Sequence, residues 1–234
     1  MRTHGERLYT TVLEQLLDSM YEIVKHYPDG VGRTGRHLNE LIKGSAFFPA
    51  GPGAKCGDGN GGPLPKYFPE KPIMFIAHNW GNQRMLDKAQ YERGEATEKC
   101  WARSMDFLRE ADLDPERCFF TNALMGIKDG PAVGEMSNDP DYRKECEQYL
   151  SKQIELVDPS CIVSLGGASK RLCRRVYRQY GLRTEIVNIM HPSEREGNRR
   201  DTYAEWVRSQ ATEIRELLAR LDPSLGSDAN DSAK

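Results

Sequence analysis

Residues 73–81 read Ile-Met-Phe-Ile-Ala-His-Asn-Trp-Gly, an apolar run of strand length that ends abruptly in a polar cluster. Pro69 and Pro72 precede the run, and the lack of polar residues within it predicts a buried strand. In parallel α/β sheets, ligands bind beyond the carboxyl ends of the strands. His78 and Asn79, the first polar residues after this strand, are therefore the first candidates for chemistry.

Further apolar runs downstream alternate with segments of helical periodicity. The predicted strands cover 118–124, 161–165 and 184–190, and the predicted helices cover 6–27, 97–111, 141–157, 168–180 and 201–221. Strands that alternate with helices favour a parallel sheet with helices on both faces. We therefore predict a three-layer α/β/α sandwich around a central, mostly parallel four-stranded sheet.

Polar residues also stand at the ends of other predicted strands. Asn122 lies near the end of the second strand, and His191 follows the fourth. Because the carboxyl ends of parallel strands meet at one edge of a sheet, both side chains are expected near the end of the first strand. Gly166 and Gly167 open the helix after the third strand, where exposed backbone N–H groups bind anions well.

The chain of 234 residues suits a single domain, which we predict over 1–221. The polar segment 222–234 is expected to be a disordered tail. Residues 28–72 are rich in glycine and proline and are predicted to form a long loop. This segment lacks the G-x-x-x-x-G-K-[ST] pattern, so a plain surface loop is favoured over a phosphate-binding loop.

The composition gives no signal of a secreted or membrane protein. The six cysteines are scattered and none forms a C-x-x-C pair, which favours reduced thiols in a cytoplasmic protein over a disulfide framework or a zinc ribbon. No apolar run approaches membrane-spanning length, and the N-terminal residues have no signal-peptide core. The formal net charge of −2 does not announce a nucleic-acid binder, although a local basic face remains compatible with it.

Several short motifs occur together in a distinctive order. They are Ala-His-Asn-Trp-Gly at 77–81, Phe-Thr-Asn-Ala-Leu at 120–124, the helix and strand over 146–166, and Met-His-Pro-Ser at 190–193. In this order and spacing, residues 73–218 resemble the uracil-DNA glycosylase superfamily. The middle block is most similar to the thermophile-type, iron-sulfur-containing members.

The resemblance implies a DNA glycosylase that flips a nucleotide out of DNA and hydrolyses its N-glycosidic bond, leaving an abasic site. The expected substrate is uracil or a 5-substituted pyrimidine. Asn79 falls where the family positions the attacking water, Asn122 where it reads the base, and His191 where it donates to the pyrimidine O2. A neutral amide has no useful basicity, so His78 stays open as the group that handles the water.

The resemblance also assigns the walls of the base pocket, and the glycine and basic residues near the expected site add a candidate DNA-binding surface. Gly81 stands where uracil-only relatives carry a tyrosine, and it leaves room for a group on C5 of the pyrimidine. Trp80 could refill that space, stack on the flipped base or serve the core. Phosphate contacts are expected from Gly166, Gly167, Ser193, Arg195, Arg199 and Arg200.

The chain departs from the family pattern at identifiable positions. The first motif has Ala77 and Trp80 in place of the family's glycine and proline. Gly126 stands where the thermophile-type members have a cluster cysteine, and the N-terminal segment has none, so we predict no iron-sulfur cluster, no metal and no other cofactor. Residues 194–200 lack the apolar wedge of some relatives, so either an arginine would have to fill the vacated stack or the substrate needs no wedge.

Other functions remain open at this stage. The altered first motif also suits a glycosylase for a bulky hypermodified base of phage DNA, in a defence role. The lack of a carboxylate at Asn79 suits a non-catalytic DNA-binding or damage-sensing module of the same fold. Gly166 and Gly167 alone would suit a nucleotide-binding α/β protein. For the leading hypothesis, a DNA glycosylase, we expect a monomer that binds DNA and no membrane.

Overall fold

The computed structural model describes residues 7–33, 47–53, 64–81, 95–130, 135–192 and 200–221, with no side chains at 95–101 and 200–202. The strands are β1 (Val31–Arg33), β2 (Ile73–Ala77), β3 (Cys118–Asn122), β4 (Gly126–Lys128), β5 (Cys161–Leu165) and β6 (Glu185–Ile189). The α-helices are α1 (Tyr9–Ile23), α2 (Glu95–Glu110), α3 (Pro140–Val157), α4 (Gly166–Tyr180) and α5 (Arg200–Leu221).

The central sheet has four strands in the order β3-β2-β5-β6, and every neighbouring pair is parallel. All of its carboxyl ends therefore lie at one edge. The register places Ala77 opposite Asn122 and Ile76 opposite Ser164. The predicted four-stranded parallel sheet is confirmed, and the edge that carries the polar residues is defined by this register.

Helices cover both faces of the sheet because its central strands are apolar on both sides. Met74 and Ile76 point into a core shared with α1, α3 and α4. Ile73, Phe75 and Ala77 point into the opposite core, shared with α2 and α5. Alternation of buried side chains to two faces is what a parallel strand between helical layers requires. The predicted three-layer α/β/α sandwich is confirmed.

The helix ends follow local chemistry. Asp139 caps α3 by accepting a hydrogen bond from the backbone N–H of Tyr142 at 2.9 Å, and Pro140 occupies the first turn. Gly181 ends α4 in a left-handed conformation. The helix predicted over 6–27 is shorter than expected, since α1 covers only Tyr9–Ile23. The backbone after it turns toward the carboxylate of Glu145, which accepts from the N–H groups of residues 25 and 26.

The prediction of a plain surface loop over 28–72 is wrong for two parts of that segment. β1 pairs antiparallel with β4, and residues 48–53 are buried. The N–H of Phe48 donates to the carbonyl of Phe120 at 2.9 Å, which places this run along the edge of β3. Tertiary packing has overridden the local glycine and proline signal. The remainder at 34–46 and 54–63, and the predicted tail at 222–234, lie outside the described residues.

In the described part of the chain, the cysteines at 118, 146, 161 and 173 are buried free thiols. The same part contains no helix that is both long enough and apolar enough to cross a membrane.

Candidate active site

The polar residues at the ends of β2 and β3 lie side by side. Ala77 is paired with Asn122, and the backbone continues the pairing beyond the strands. The N–H of Ala123 donates to the carbonyl of Ala77 at 2.8 Å, and the N–H of Leu124 donates to that of His78 at 3.0 Å. The predicted meeting of His78 with Asn122 at one edge therefore follows from the register.

Asn122 has a fixed orientation and one unused acceptor. Its side chain is 1% exposed, and its Nδ2 donates to the main-chain carbonyl of Phe48 at 3.4 Å. A carbonyl only accepts, so this contact identifies which end of the amide is nitrogen. Oδ1 is buried and has no hydrogen-bond partner among the described residues. A buried polar atom without a hydrogen bond lowers the unfolding free energy by about 1–3 kcal/mol. Oδ1 of Asn122 is therefore a candidate for ligand binding.

The Phe48 carbonyl that orients Asn122 is itself held in place. It lies 3.2 Å from Oγ1 of Thr121, and that hydroxyl lies 2.7 Å from Oε1 of Gln153 on α3. Sequence reasoning missed both Phe48 and Gln153. Phe48 sits in a segment rich in glycine and proline, 74 residues before its partner, and no local pattern connects the two.

His191 follows β6 in a backbone that two helices anchor. The N–H of Met190 donates to Oε1 of Gln210 on α5 at 2.6 Å, and the carbonyl of Pro192 accepts from Nη1 of Arg103 on α2 at 2.7 Å. Burial and, to a smaller extent, the nearby imidazole of His78 together lower the pKa of His191 to about 4. At neutral pH this side chain is an uncharged imidazole that keeps one N–H to donate.

His78 lies beside a carboxylate that the sequence did not single out. Its Nε2 is 3.4 Å from Oε1 of Glu135, which precedes α3. Burial is the largest effect on the pKa of His78 and lowers it; Glu135 raises it, and the positive charges of Lys128 and Arg171 lower it. The net direction is downward, so His78 is also neutral near pH 7. Glu135 belongs to a loop rich in glycine, proline and aspartate, where no pattern indicated a site residue.

Asn79 and the two residues after it form the turn beyond His78. Asn79 is half-buried, and its side chain has no hydrogen-bond partner within the described ranges. Trp80 is 7% exposed and packs against Ala50 and Ile127, which is the core role. Gly81 has a φ of 115°, and this conformation alone favours glycine. The backbone conformation alone therefore explains why residue 81 is a glycine. Space for a group on C5 of a base is not needed to explain it.

The comparison with protein families agrees with this geometry. A model of the uracil DNA glycosylase superfamily matches residues 63–219 of the chain. The chain belongs to the uracil DNA glycosylase superfamily. The matched range contains β2, β3, β5 and β6 and every polar strand end described above. Among curated proteins, none matches the chain significantly, and the likeness of its middle block to the thermophile-type glycosylases stays a prediction.

The structure locates only part of the predicted DNA-binding set of this superfamily member. Gly166 is buried and starts α4 with a φ of 80°, whereas Gly167 is exposed at the first turn. A side chain at Gly167 would meet only Nη1 of Arg171, at 3.7 Å. Ser193, Arg195 and Arg199 lie outside the described residues, and the side chain of Arg200 is not described.

The space around Gly126 shows whether a cysteine ligand of the iron-sulfur cluster of the thermophile-type glycosylases would fit this chain. A Cβ at this position would lie 2.4 Å from Cγ1 of Val31 and 2.8 Å from the hydroxyl of Tyr142. A cysteine does not fit here without repacking. Within the described ranges, no three His, Cys, Asp or Glu side chains converge in a way that could hold a metal ion. The described residues therefore do not fit the cluster.

Proposed function

We propose that this member of the superfamily is a DNA glycosylase that hydrolyses the N-glycosidic bond of uracil or a 5-substituted pyrimidine in DNA. Family membership supports glycosylase activity in general. The observation that carries the proposal is the unpaired, buried Oδ1 of Asn122 at the strand edge. Such an atom is costly to the fold, and an incoming base edge would satisfy it.

The orientation of Asn122 favours one hydrogen-bonding pattern on the base. Uracil presents an N3–H donor beside an O4 acceptor, and cytosine presents the reverse at these positions. Oδ1 accepts from N3–H, and the second hydrogen of Nδ2 donates to O4, while the first remains on the carbonyl of Phe48. Cytosine would place its N3 acceptor against Oδ1. The amide orientation thus selects a uracil-like edge, and a substituent on C5 does not alter that edge.

His191 supplies the stabilisation of the leaving base. Cleavage leaves negative charge on the pyrimidine, and O2 is one place where it develops. A neutral imidazole in a buried position donates an N–H to that oxygen without the cost of burying a positive charge. Donors of this kind typically contribute about 10²–10³-fold to the rate. The hydrogen bonds that join Met190 to Gln210 on α5 and Pro192 to Arg103 on α2 support this role, because they fix the backbone on both sides of His191.

Asn79 is assigned the role of positioning the attacking water. Its amide cannot remove a proton, but its carbonyl oxygen can accept a hydrogen bond and hold water beneath an oxocarbenium-like sugar. The nucleotide must first leave the stack, at a cost of a few kcal/mol. Phosphate contacts from Gly167, and from the basic residues near 195–200, are proposed to offset this cost and to make binding salt-dependent. Action as a monomer in the cytoplasm is part of the same proposal.

An alkali-cleavage assay tests this function. Labelled single- and double-stranded oligonucleotides carry uracil, a 5-substituted pyrimidine or only ordinary bases. We expect strand breaks at the modified position with the wild-type protein and at least about 10²-fold slower breakage with His191→Ala. Asn79→Ala is expected to slow the reaction as well. A different result would instead support a non-catalytic module. In that case the protein would bind DNA in a salt-dependent way, give no abasic product, and bind equally well with either substitution.

A further inference from the structure

The proposed reaction releases a proton from the attacking water, and some group must accept it. Asn79 cannot, because a neutral amide has no useful basicity. His191 is assigned to donate to the departing base, and a donor at that moment cannot be the acceptor of the water proton. His78 is the second imidazole at the strand edge, directly beside Asn79 in the chain and electrostatically coupled to His191.

The contact between His78 and Glu135 defines how the imidazole is used. Nε2 of His78 lies 3.4 Å from Oε1 of Glu135. A carboxylate only accepts hydrogen bonds, so it favours the tautomer of the neutral ring in which Nε2 carries the hydrogen. Nδ1 then keeps its lone pair. The ring is therefore prepared to take up a proton on the nitrogen that does not face Glu135.

We propose that His78 and Glu135 act as a pair, in which His78 accepts the proton of the attacking water and Glu135 is the positioning residue that fixes the imidazole. The proposal rests on the glycosylase function and deepens it, because it assigns the base that the amide at Asn79 cannot supply. Neither the carboxylate nor the pairing is apparent from the first motif of the sequence.

The surroundings of His78 suit a base that must start neutral. Among the described residues, the charged and titratable groups that face it are Glu135 before α3, Lys128 on β4, Arg171 on α4 and His191 after β6. Burial, Lys128 and Arg171 keep the ring uncharged, so its lone pair is available near pH 7. Glu135 acts in the opposite direction and stabilises the imidazolium once the proton has arrived. Burial and the neighbouring imidazole of His78 lower the pKa of His191. A neutral His191 suits the role of hydrogen-bond donor.

Glu135 is held near His78 by the segment that follows it. Met136 is 2% exposed, and residues 136–138 form a short 3₁₀ turn that leads into α3. The N–H of Asn138 donates to the carbonyl of Glu135 at 3.0 Å. The side chain of Glu135 is 45% exposed, whereas that of His78 is 18% exposed. The carboxylate is therefore in contact with solvent while it orients a more buried ring.

The atoms and charges of the step balance without a further reactant. The bond between C1′ and the base nitrogen breaks, and its electron pair leaves with the base as an anion beside His191. The water oxygen forms the new bond to C1′, and one of its protons moves to Nδ1 of His78. The imidazolium then returns this proton to the departing base or to solvent. The products are the free base and an abasic sugar with a hydroxyl on C1′.

The test combines single-turnover excision as a function of pH with the variants Glu135→Gln and His78→Gln, using the base that the wild-type protein cleaves. Glu116→Gln, an exposed carboxylate in the turn before β3, is the matched control. His78→Gln is expected to slow excision about 10²-fold and to remove the acid limb of the profile. Glu135→Gln is expected to slow excision roughly 10-fold and to move the acid limb to lower pH, since loss of the carboxylate lowers the pKa of His78.

Two results would overturn the pair. One is a Glu135→Gln protein with the wild-type rate and an unmoved acid limb, which would leave the glycosylase function standing. The other is an NMR titration of the histidine rings in which the tautomer and pKa of His78 do not change in Glu135→Gln. The NMR measurement needs no activity, so it decides the pairing even if the wild-type protein cleaves no base, a result that would count against the proposed function itself.

Discussion

Nδ2 of Asn122 donates to the main-chain carbonyl of Phe48 at 3.4 Å across 74 residues of sequence. The contact joins the end of β3 to the buried run at 48–53, which lies along the edge of that strand. It fixes the amide so that Oδ1 is the atom left without a partner in the described structure. In the proposed function, the hydrogen-bonding pattern presented to a base is therefore set by a main-chain carbonyl outside every recognisable motif.

The first prediction separates function from stability at Asn122. Asn122→Leu replaces the amide by an apolar side chain of similar shape and removes the unpaired Oδ1. The unfolding free energy is expected to stay within about 1 kcal/mol of wild type or to rise, because the desolvation cost of Oδ1 disappears and offsets the lost hydrogen bond from Nδ2 to Phe48, whose carbonyl keeps its contact with the hydroxyl of Thr121. Excision is expected to fall at least about 10²-fold. Urea denaturation and single-turnover cleavage measure the two effects.

Asn188→Leu is the control for that variant. Oδ1 of Asn188 on β6 accepts from the hydroxyl of Ser164 at 3.1 Å, so the substitution removes a satisfied hydrogen bond. It should cost about 1 kcal/mol and leave excision largely intact. If Asn122→Leu were the more destabilising of the two, the account of an unpaired acceptor would be wrong.

The second prediction concerns pH and His191. Its pKa is about 4 in the folded protein, below the value near 6.5 of an unfolded histidine. Between these values the unfolded chain binds more protons, so the unfolding free energy falls as the pH drops from about 6.5 toward 4, by at most about 3 kcal/mol for this group. Above pH 6.5 it contributes no slope. Urea denaturation at a series of pH values should show a shallower acid decline in His191→Gln, and an unchanged decline would contradict the assignment.

The third prediction addresses Gly81, whose φ of 115° penalises any side chain. Gly81→Ala should lower the unfolding free energy by roughly 1 kcal/mol or more. Gly167→Ala, at an exposed helical position where the new methyl group would make only an ordinary contact with Nη1 of Arg171, should be neutral or stabilising by up to about 1 kcal/mol. Thermal unfolding distinguishes the two.

Gly81→Ala also serves as the control for Gly81→Tyr in substrate tests. Backbone strain is common to both variants, whereas only tyrosine would block a group on C5. Loss of 5-substituted substrates in Gly81→Tyr alone, with uracil retained, would support a roomy pocket. Equal loss in both variants would assign the glycine to the backbone only.

The fourth prediction tests the packing that replaces a cluster cysteine. Gly126→Ala should destabilise the protein by about 1–3 kcal/mol, because the new methyl group overlaps Val31 and the hydroxyl of Tyr142. Gly130→Ala, which meets nothing within 4 Å, is the matched control and should have little effect on packing. Equal unfolding free energies for the two variants would show that this corner of the protein is loosely packed.

Periodicity and polar strand ends predicted much of this molecule. A strand buried between two helical layers is apolar on both faces, as β2 is. Such a strand can therefore be recognised from its own residues. The alternation of strands and helices then placed Asn122 and His191 at one edge. The contacts of Phe48 and Glu135 were not predictable, because both residues lie in segments rich in glycine and proline. Their positions depend on a main-chain bond to Phe120 and on a turn packed through Met136.

The most direct measurement compares the release of free uracil and free cytosine from oligonucleotides that differ only in that base, under single-turnover conditions. The fixed amide of Asn122 predicts that uracil is released and cytosine is retained, and that Asn122→Leu abolishes the release. Release of cytosine at a comparable rate, or of uracil at an unchanged rate from Asn122→Leu, would contradict the account of the site.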